Sequence, residues 1–215
     1  MTNSKARLPK GIYGITAEKF SKGRSNVEVV QEMIAGGIRI IQYREKRPPT
    51  SFSAMLAECR VIRELTRKAG VLFIINDSPS LALLVDADGV HVGQDDWPVT
   101  EVRRLLGPDK IIGLSTHAPA EAQAAVEAGA DYIGVGPIFN TQTKDDVTDP
   151  VGLEYIDYIV ANCPLPFTVL GGIKEHNLAE VISRGAASAC LVTDIVEAED
   201  IRAKVERLQA MFPQS

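Results

Sequence analysis

The sequence predicts a single closed parallel (β/α)8 barrel, the TIM-barrel architecture of the α/β class. Three observations indicate this fold: short β-rich runs alternate with amphipathic helical segments from Gly11 onward, there are eight of each, and no linker separates them. The alternative is an open doubly wound sheet, but the count of eight and the missing GxGxxG turn weigh against it. A chain of 215 residues has the length of one ordinary domain. We therefore predict a polar N-terminal arm at residues 1–10 and one barrel domain at residues 11–215.

The eight predicted strands are short apolar runs, each followed by a polar or glycine-containing turn. They lie at residues 12–16, 38–43, 71–75, 89–92, 111–114, 132–135, 167–170 and 189–192. In a barrel of this kind the chemistry takes place at the C-terminal ends of the strands. Polar residues at those eight ends are therefore the candidates for a functional site.

The helical segments between the strands carry apolar residues at helical spacing. In the first two segments these are Val27, Val30, Met33, Ile34, Leu56, Cys59, Val61, Ile62 and Leu65. The later segments lie at residues 81–85, 99–106, 120–128, 153–160, 178–182 and 201–211. Several helices are expected to stop at a glycine before the next strand, namely at Gly36, Gly70, Gly107, Gly129 and Gly185.

Composition is that of an ordinary globular protein, with 45% hydrophobic residues, 24% charged residues and a net charge of −5. This charge does not favour nucleic acid or an anionic membrane as a partner, so any cationic site must be local. Cys59, Cys163 and Cys190 are widely spaced without a CxxC pair, which argues against a disulfide framework or a zinc site. Residues 1–10 are polar and no run approaches the roughly 18 apolar residues of a membrane helix, so we expect a cytoplasmic protein.

The most informative stretch follows the second predicted strand, where the sequence IRIIQYREK turns from apolar to charged. Because side chains alternate along a strand, Gln42, Arg44 and Lys46 are expected to share one face and to continue the row of Ile38 and Ile40. Such a group suits a multiply charged anion, since arginine offers a planar fork and lysine a point charge. An exposed charged turn is the alternative for this stretch taken alone.

Two carboxylates, Asp77 and Asp96, follow the third and fourth predicted strands. Neighbouring strands lie about 4.8 Å apart, and two carboxylates there suit Mg²⁺, which also takes water and substrate phosphate oxygens as ligands. The alternative for Asp77 is to cap the helix that begins near Ser78-Pro79. Metal and diphosphate binding is favoured because three cations are expected at the same end of the barrel, namely Arg44, Lys46 and Lys144.

A second anion site is predicted after the last two strands. Gly171-Gly172 occupies the position where barrels of this fold offer backbone N–H groups to a phosphate. Glycine at 172 would let the backbone approach a ligand closely, although a Gly-Gly pair can also simply form the turn. One site rich in cations and one rich in amides together indicate two substrates, a diphosphate and a monophosphate.

The histidines do not indicate a nucleophile or a general base. His91 lies inside a predicted strand and is interpreted as a satisfied barrel residue, His176 is placed in solvent near a helix start, and His117 borders the site. No Ser/His/Asp arrangement is evident. No residue therefore looks like an activated nucleophile.

At these positions the sequence resembles the thiamine phosphate synthase family, also called thiamine-phosphate pyrophosphorylases. The matching motifs are QYREK (42–46), IND (75–77), GVHVGQDD (89–96), GLS (113–115), GVGPIFNTQTK (134–144) and GGI (171–173). They occur in order and span nearly the whole chain, so together they are highly specific although each alone is weak.

The resemblance implies which residues bind which group. Asp77 and Asp96 would ligate Mg²⁺. The aminopyrimidine diphosphate would be held by Gln42, Tyr43, Arg44, Glu45, Lys46, Asn76, Ser115 and Lys144. The thiazole phosphate would be received by Thr141, Gln142, Thr143, Gly172, Val192 and Thr193. The residues expected to be catalytic are Arg44, Lys46, Ser115 and Lys144.

The reaction implied by the resemblance fits the absence of a base. Diphosphate leaves a pyrimidine methyl carbon, the resulting cation is stabilised by the ring amino group, and the thiazole nitrogen attacks with a lone pair that is already free. The protein must stabilise the negative charge that builds on the leaving group. Mg²⁺, Arg44, Lys46 and Lys144 would do so.

Four positions depart from the family pattern. Thr193-Asp194 stands where Ser-Ala is usual, Asn140 where proline is common, and Ser78 where arginine or histidine is frequent. If 189–192 is a strand that continues, alternation turns Thr193 toward the ligand and Asp194 away from it. Asp194 is also expected to cap a short helix that follows it.

Two other functions share this architecture. The thiazole tautomerase relatives tend to lack the TxTK pattern that residues 141–144 carry here. A non-catalytic barrel that binds phosphorylated ligands would be expected to have lost a metal carboxylate or a cation, and the sequence retains all of them.

Overall fold

The computed structural model describes residues 8–45, 51–141 and 149–213. Within these ranges the chain alternates between strands and helices. The strands are β1 Gly11–Ile12, β2 Gly14–Ile15, β3 Ile40–Tyr43, β4 Leu72–Asn76, β5 Gly89–Val92, β6 Ile111–Thr116, β7 Tyr132–Val135, β8 Phe167–Val169 and β9 Ser188–Ala189. The α-helices are α1 Asn26–Ala35, α2 Phe52–Ala69, α3 Pro79–Leu84, α4 Val99–Leu106, α5 Pro119–Ala128, α6 Gly152–Asn162, α7 Glu175–Ser183, α8 Val192–Val196 and α9 Ile201–Ala210.

All strand pairs are parallel, in the order β1-β9-β8-β7-β6-β5-β4-β3-β2. β1 and β2 are the two halves of the first predicted strand, and the chain crosses between them at Tyr13. β1 pairs with β9 through Ile12 and Ala189, whereas β2 pairs with β3 through Ile15 and Gln42. The first strand therefore closes the sheet on both sides, and the predicted (β/α)8 barrel is confirmed.

Apolar side chains form two cores. The larger lies between the sheet and the helices and includes Ile38, Ile41 and Phe73. The smaller fills the barrel interior and consists of Tyr13, Ile15, Ile40, Ile74, Ile111, Tyr132 and Cys190. The prediction that Ile38 shares a row with Ile40 is wrong, because Ile38 precedes β3 and its N–H bonds to Met33 at the end of α1.

Two predicted boundaries need correction. The run 189–192 is not one strand, because β9 ends at Ala189 and α8 begins at Val192. Strand alternation therefore does not apply to Thr193 and Asp194. Gly36 ends α1 with a right-handed φ of −78°, and the left-handed residue is Gly37 at φ +92°. Gly70 and Gly129 do close their helices in the left-handed conformation as predicted.

None of the helices in the described parts of the chain has the length and apolar character to cross a membrane. All three cysteines carry free thiols, and Cys59 and Cys190 are buried.

Candidate active site

The barrel interior becomes polar toward the carboxyl ends of its strands. Ile40 and Ile74 face the interior, and alternation places Gln42 and Asn76 above them on the same face. Ser115 lies near the end of β6, where its side chain is 7% exposed, and Gln42 is 3% exposed. Two of the predicted substrate-binding residues are thus nearly buried inside the mouth of the barrel.

A continuous series of hydrogen bonds crosses the interior between these two residues, and we call it the tyrosine–histidine chain (Gln42, Tyr13, Tyr132, His91 and Ser115). The Gln42 Nε2 donates to the Tyr13 hydroxyl at 3.1 Å, and the two tyrosine hydroxyls lie 2.8 Å apart. His91 Nδ1 lies 2.9 Å from the Tyr132 hydroxyl, and its Nε2 lies 2.9 Å from Ser115 Oγ. The interpretation of His91 as a satisfied barrel residue is confirmed.

Two glycines make room for this chain. A Cβ on Gly113 would lie 2.2 Å from Tyr132 Cζ and 2.4 Å from His91 Nδ1, and a Cβ on Gly134 would lie 3.2 Å from the His91 ring. Burial raises the pKa of the Tyr13 hydroxyl and that of Tyr132 well above the ordinary value of 10.0. Both tyrosines therefore keep their protons, and each can donate one hydrogen bond.

The segment after β3 is tied to the first strand. The Arg44 N–H donates to Thr16 Oγ1 at 2.8 Å, and that hydroxyl donates to the Arg44 carbonyl at 3.3 Å. Thr16 is fully buried, so this contact fixes where the charged segment leaves the sheet. Of the other cations and polar residues predicted here, Lys46, Gln142, Thr143 and Lys144 lie outside the described residues, and Thr141 is half-buried next to that gap.

The side chains of Tyr43 and Glu45 lie on the helix side of the sheet. The Tyr43 hydroxyl donates to Glu58 Oε2 at 2.6 Å, and Asn26 Nδ2 donates to Glu45 and Glu58 at 3.2 and 3.1 Å. Burial, and next the contact with Glu58, raises the pKa of Tyr43 far above its ordinary value. The structure therefore does not bring these two predicted substrate residues together with the barrel interior.

The carboxylates of Glu18, Glu45 and Glu58 offer oxygens that all lie within 4.8 Å of one another. Hard oxygen ligands of this kind suit a divalent cation. Two of the three already accept hydrogen bonds from Asn26, and Glu58 accepts one from Tyr43. Sequence reasoning missed this group because its members come from three different elements.

The two predicted metal ligands stand at the ends of the paired strands β4 and β5. Asp77 has a left-handed φ of +57°, its N–H donates to the His91 carbonyl at 2.8 Å, and its Oδ2 accepts from Asn76 Nδ2 at 2.6 Å. Asp96 Oδ2 accepts from the Gly93 N–H at 2.7 Å, and Asp96 is exposed. Carboxylate oxygens are ligands that Mg²⁺ takes in proteins, so the chemistry of these two side chains fits this ion. The alternative that Asp77 caps the following helix is not observed. Ser78 caps α3, because its hydroxyl accepts from the Leu81 N–H.

The glycine pair after β8 packs against the loop after β7. A Cβ on Gly171 would lie 2.4 Å from Pro137 Cα, and a Cβ on Gly172 would lie 2.5 Å from the Asn140 carbonyl oxygen. Both have a positive φ. Glycine is therefore required by the turn and by the close approach of two backbone segments, which is the simpler of the two readings of this motif.

Next to this turn lies a group that we call the lysine–carboxylate cluster (Lys174, Glu175, Thr193, Asp194 and Lys204). Lys174 Nζ donates to Thr193 Oγ1 at 2.6 Å. Asp194 Oδ2 accepts from the Glu175 N–H at 3.0 Å and lies 2.9 Å from Lys204 Nζ, which also lies 2.7 Å from Glu175. The prediction that Asp194 caps the helix after it is wrong, because Asp194 lies inside α8 and accepts from the first N–H of α7 instead. Several of these side chains line an open cleft of about 440 Å³.

Three residues near the site were not singled out from the sequence. Tyr13 and Tyr132 lie 119 positions apart, and only closure of the barrel shows that their hydroxyls touch. Lys174 directly follows the GGI motif, so its place in the sequence was a usable signal for a further cation beside Thr193.

Val192, predicted to contact ligand from a strand, is the first residue of α8.

Comparison with known proteins gives concordant results. The family model described as thiamine monophosphate synthase matches residues 12–195. A thiamine-phosphate synthase of Pelotomaculum thermopropionicum is 62% identical over 205 residues, which covers 95% of this chain and 93% of that protein. One of Shouchella clausii is 50% identical and covers 96% and 98% of the two chains. A solved structure of thiamine phosphate pyrophosphorylase from Pyrococcus furiosus has a TM-score of 0.84 and 34% identity, with 94% of each chain covered.

Proposed function

The chain belongs to the thiamine monophosphate synthase family, and on that premise we propose how the carboxyl end of its barrel joins an aminopyrimidine diphosphate to a thiazole phosphate. The products of this transfer are thiamine phosphate and diphosphate. The protein is a transferase of thiamine biosynthesis and acts on small molecules. The observation that carries the assignment of residues is the tyrosine–histidine chain, because it fixes Gln42 and Ser115 at the mouth of the barrel.

Gln42 and Ser115 bind the aminopyrimidine in this proposal, and Asn76 binds beside them. All three lie at the polar end of the barrel interior, where hydrogen-bonding groups are desolvated and therefore discriminate strongly between donors and acceptors. Arg44, at the end of β3, binds the diphosphate together with Lys46 and Lys144. Two hydrogen bonds between the Arg44 main chain and the hydroxyl of the buried Thr16 support this role, because they hold the start of the charged segment in place.

The leaving group is stabilised by charge, and no proton has to be removed. The thiazole nitrogen attacks with a free lone pair once the carbon–oxygen bond to diphosphate breaks. His91 is engaged at both ring nitrogens inside the barrel, so it has no ring nitrogen to offer as a base. Cationic groups close to the departing oxygens are the type of catalyst that such a step requires.

Asp77 and Asp96 would hold Mg²⁺, since their hydrogen bonds orient two hard carboxylate ligands at neighbouring strand ends. When bound, the ion would neutralise negative charge on the diphosphate. The group formed by Glu18, Glu45 and Glu58 is the competing location for a divalent cation. Asp96→Asn and Glu45→Gln variants separate the two: Asp96→Asn is expected to raise the Mg²⁺ concentration needed for activity, and Glu45→Gln is expected to leave it unchanged.

The thiazole phosphate is received near Thr193, Gly172 and Val192 in this proposal, and the family resemblance adds Thr141, Gln142 and Thr143 to this set. Lys174 joins this set, because its ammonium group donates to the Thr193 hydroxyl and adds positive charge where a phosphate would arrive. The cytoplasmic location and the single domain at residues 11–215 stay predictions.

The decisive experiment supplies both substrates and Mg²⁺ to the purified chain and measures thiamine phosphate and diphosphate. Equal amounts of the two products are expected, and none when either substrate is omitted. A chain that forms neither product at any Mg²⁺ concentration would contradict the proposed function.

A further inference from the structure

The tyrosine–histidine chain has three inner members, Tyr13, Tyr132 and His91, to which the proposed function gives no role beyond holding Gln42 and Ser115 in place. They are nearly buried, with exposures of 1%, 1% and 7%. Their hydrogen bonds run without interruption from Gln42 on β3 to Ser115 on β6. Buried hydrogen bonds in series constrain one another, because each hydroxyl has only one proton to donate.

The direction of donation is set at the Gln42 end. The Gln42 amide N–H donates to the Tyr13 oxygen, and the proton of Tyr13 is then available for its other contact, Tyr132. The Tyr132 oxygen accepts that proton, so its own proton goes to His91 Nδ1 at 2.9 Å. Raised tyrosine pKa values keep both hydroxyls protonated. If Tyr13 accepted from both of its neighbours, its buried proton would have no acceptor among the described residues, so donation to Tyr132 is the arrangement that uses every proton.

The same reasoning determines the state of the imidazole. A ring that accepts at Nδ1 carries its proton on Nε2, and this N–H donates to Ser115 Oγ at 2.9 Å. An imidazolium would donate from both nitrogens, so the Tyr132 proton would have to go to Tyr13. The Tyr13 proton would then lack an acceptor among the described residues, because Gln42 also donates to that oxygen. The proton of Ser115 is not used within the chain, so it is available to a ligand at the barrel mouth.

We propose that His91 and Tyr132 are positioning residues of the transferase: they hold the imidazole as the Nε2–H tautomer and thereby make Ser115 a hydrogen-bond donor toward the pyrimidine diphosphate. The proposal rests on the proposed function, since it takes Ser115 to contact that substrate. Gly113 and Gly134 support it, because a side chain at Gly113 would overlap both rings and one at Gly134 would crowd the imidazole.

The first test reads the tautomer directly and does not depend on turnover. Nitrogen-15 NMR of the free protein, with His117→Gln and His176→Gln variants to assign the signals, is expected to show His91 protonated at Nε2 and not at Nδ1. Tyr132→Phe removes the donor to Nδ1 and is expected to populate the other tautomer. A wild-type ring protonated at Nδ1 would overturn the proposal.

The second test is a double-substitution cycle between Tyr132→Phe and Ser115→Ala, with calorimetric binding of the pyrimidine diphosphate as the readout. Each single change is expected to weaken binding about tenfold, the size of one lost hydrogen bond to a charged ligand. The double variant should bind like Ser115→Ala alone, because Tyr132 acts through Ser115. Effects that multiply in the double variant, or a neutral Ser115→Ala, would overturn the proposal.

Thr168→Val is the matched control. Thr168 is also buried in the barrel and accepts from the Ser188 hydroxyl at 3.0 Å, but it belongs to a separate set of contacts with Ser188 and Cys190. It is expected to lower stability without changing pyrimidine diphosphate affinity, and an equal loss of affinity would show that any buried polar change suffices. A wild-type chain that binds this substrate but makes no thiamine phosphate would count against the proposed function and not against the tautomer.

Discussion

The two polar regions at the open end of the barrel are held by different physics. The tyrosine–histidine chain consists of nearly buried groups, uncharged in the proposed tautomer, on regular strands, joined by four contacts of 2.8–3.1 Å. The lysine–carboxylate cluster consists of four charged groups and the Thr193 hydroxyl on loops and the first turns of helices, and the side-chain exposure of its ion-paired members ranges from 12% for Lys204 to 40% for Glu175. In the proposed tautomer, the hydrogen bonds of the tyrosine–histidine chain have one donor order. The side chains of the lysine–carboxylate cluster are more exposed and can adapt to a ligand.

This difference matches what each region is proposed to bind. A planar aminopyrimidine has a fixed pattern of donors and acceptors, and buried neutral partners discriminate such a pattern well. A phosphate has several equivalent oxygens and tolerates many arrangements of cations and amides. Substitutions in the first region should therefore weaken binding of the pyrimidine diphosphate specifically, and those in the second should weaken binding of the thiazole phosphate.

The largest effect on turnover is expected for Arg44, which directly follows β3. Arg44→Ala should lower turnover by roughly 10²–10³-fold, as for the loss of one group that stabilises developing charge. Arg39→Ala is the control, because Arg39 lies just before the same strand and only donates to the Lys10 carbonyl at 2.9 Å. Steady-state kinetics at saturating substrates measure both. Turnover of Arg44→Ala within a few-fold of wild type would remove Arg44 from the mechanism.

The second prediction concerns the unfolding free energy, which should depend on the two glycines that pack against the tyrosine–histidine chain. Gly113→Ala puts a methyl group 2.2 Å from Tyr132 Cζ, so we expect a loss of unfolding free energy near the upper end of about 1–3 kcal/mol, as for overpacked cores. Gly134→Ala is the control on the next strand, where the nearest atoms are 3.1–3.4 Å away, and should cost less. Urea unfolding measures both values. Equal losses of unfolding free energy would mean that the rings of Tyr132 and His91 can move aside. That outcome would contradict a single arrangement of the tyrosine–histidine chain.

The same contrast explains what could be predicted from the sequence. Strand runs such as Gly89–Val92 and Tyr132–Val135 were located correctly because apolar runs bounded by turns are a local signal. Alternation along β3 also gave the inward direction of Gln42. The hydrogen-bond partners of Gln42 could not be predicted, because Tyr13 reaches Tyr132 only when the barrel closes between distant parts of the chain.

For the lysine–carboxylate cluster, the predicted local secondary structure was also wrong. The apolar run Ala189–Val192 resembles a strand, but its pairing ends at Ala189 and the backbone turns into α8. Short apolar runs do not distinguish strand from helix by periodicity. The orientation of Thr193 and Asp194 was therefore derived from the wrong element. The predicted cap was wrong for the same reason, because Asp194 lies inside α8 and accepts from an N–H of α7.

A smaller effect is expected at Thr193, and it tests whether the charged region binds the thiazole phosphate. Thr193→Val removes the acceptor of the Lys174 hydrogen bond and a donor to phosphate, so affinity should fall about tenfold, roughly 1.4 kcal/mol. Thr100→Val on the exposed face of α4 is the control. Titration with the thiazole phosphate measures both, and an unchanged Kd for Thr193→Val would move the phosphate site elsewhere.

The smallest effect on ligand binding is expected at Asp194, even though a carboxylate beside a phosphate site should repel the ligand. Its Oδ2 accepts from the first N–H of α7 and pairs with Lys204, so its charge is already compensated within the protein. Asp194→Ala should therefore change thiazole phosphate affinity by less than about tenfold. It should lower stability by about 1 kcal/mol, the usual cost of a lost cap.

Ser25→Ala separates these two effects, because Ser25 caps α1 in a similar way but belongs to no part of the cleft. Both variants should lose similar stability in urea unfolding. In Asp194→Ala the ammonium group of Lys204 still pairs with Glu175, a contact that holds the pKa of this carboxyl below its ordinary value of 4.5. That part of the stability is present above the ordinary pKa and is lost only as the pH falls through the lowered one. If Asp194→Ala tightened phosphate binding far more than tenfold, the Asp194 charge would not be compensated by Lys204, and the cluster would act as an electrostatic barrier to the ligand.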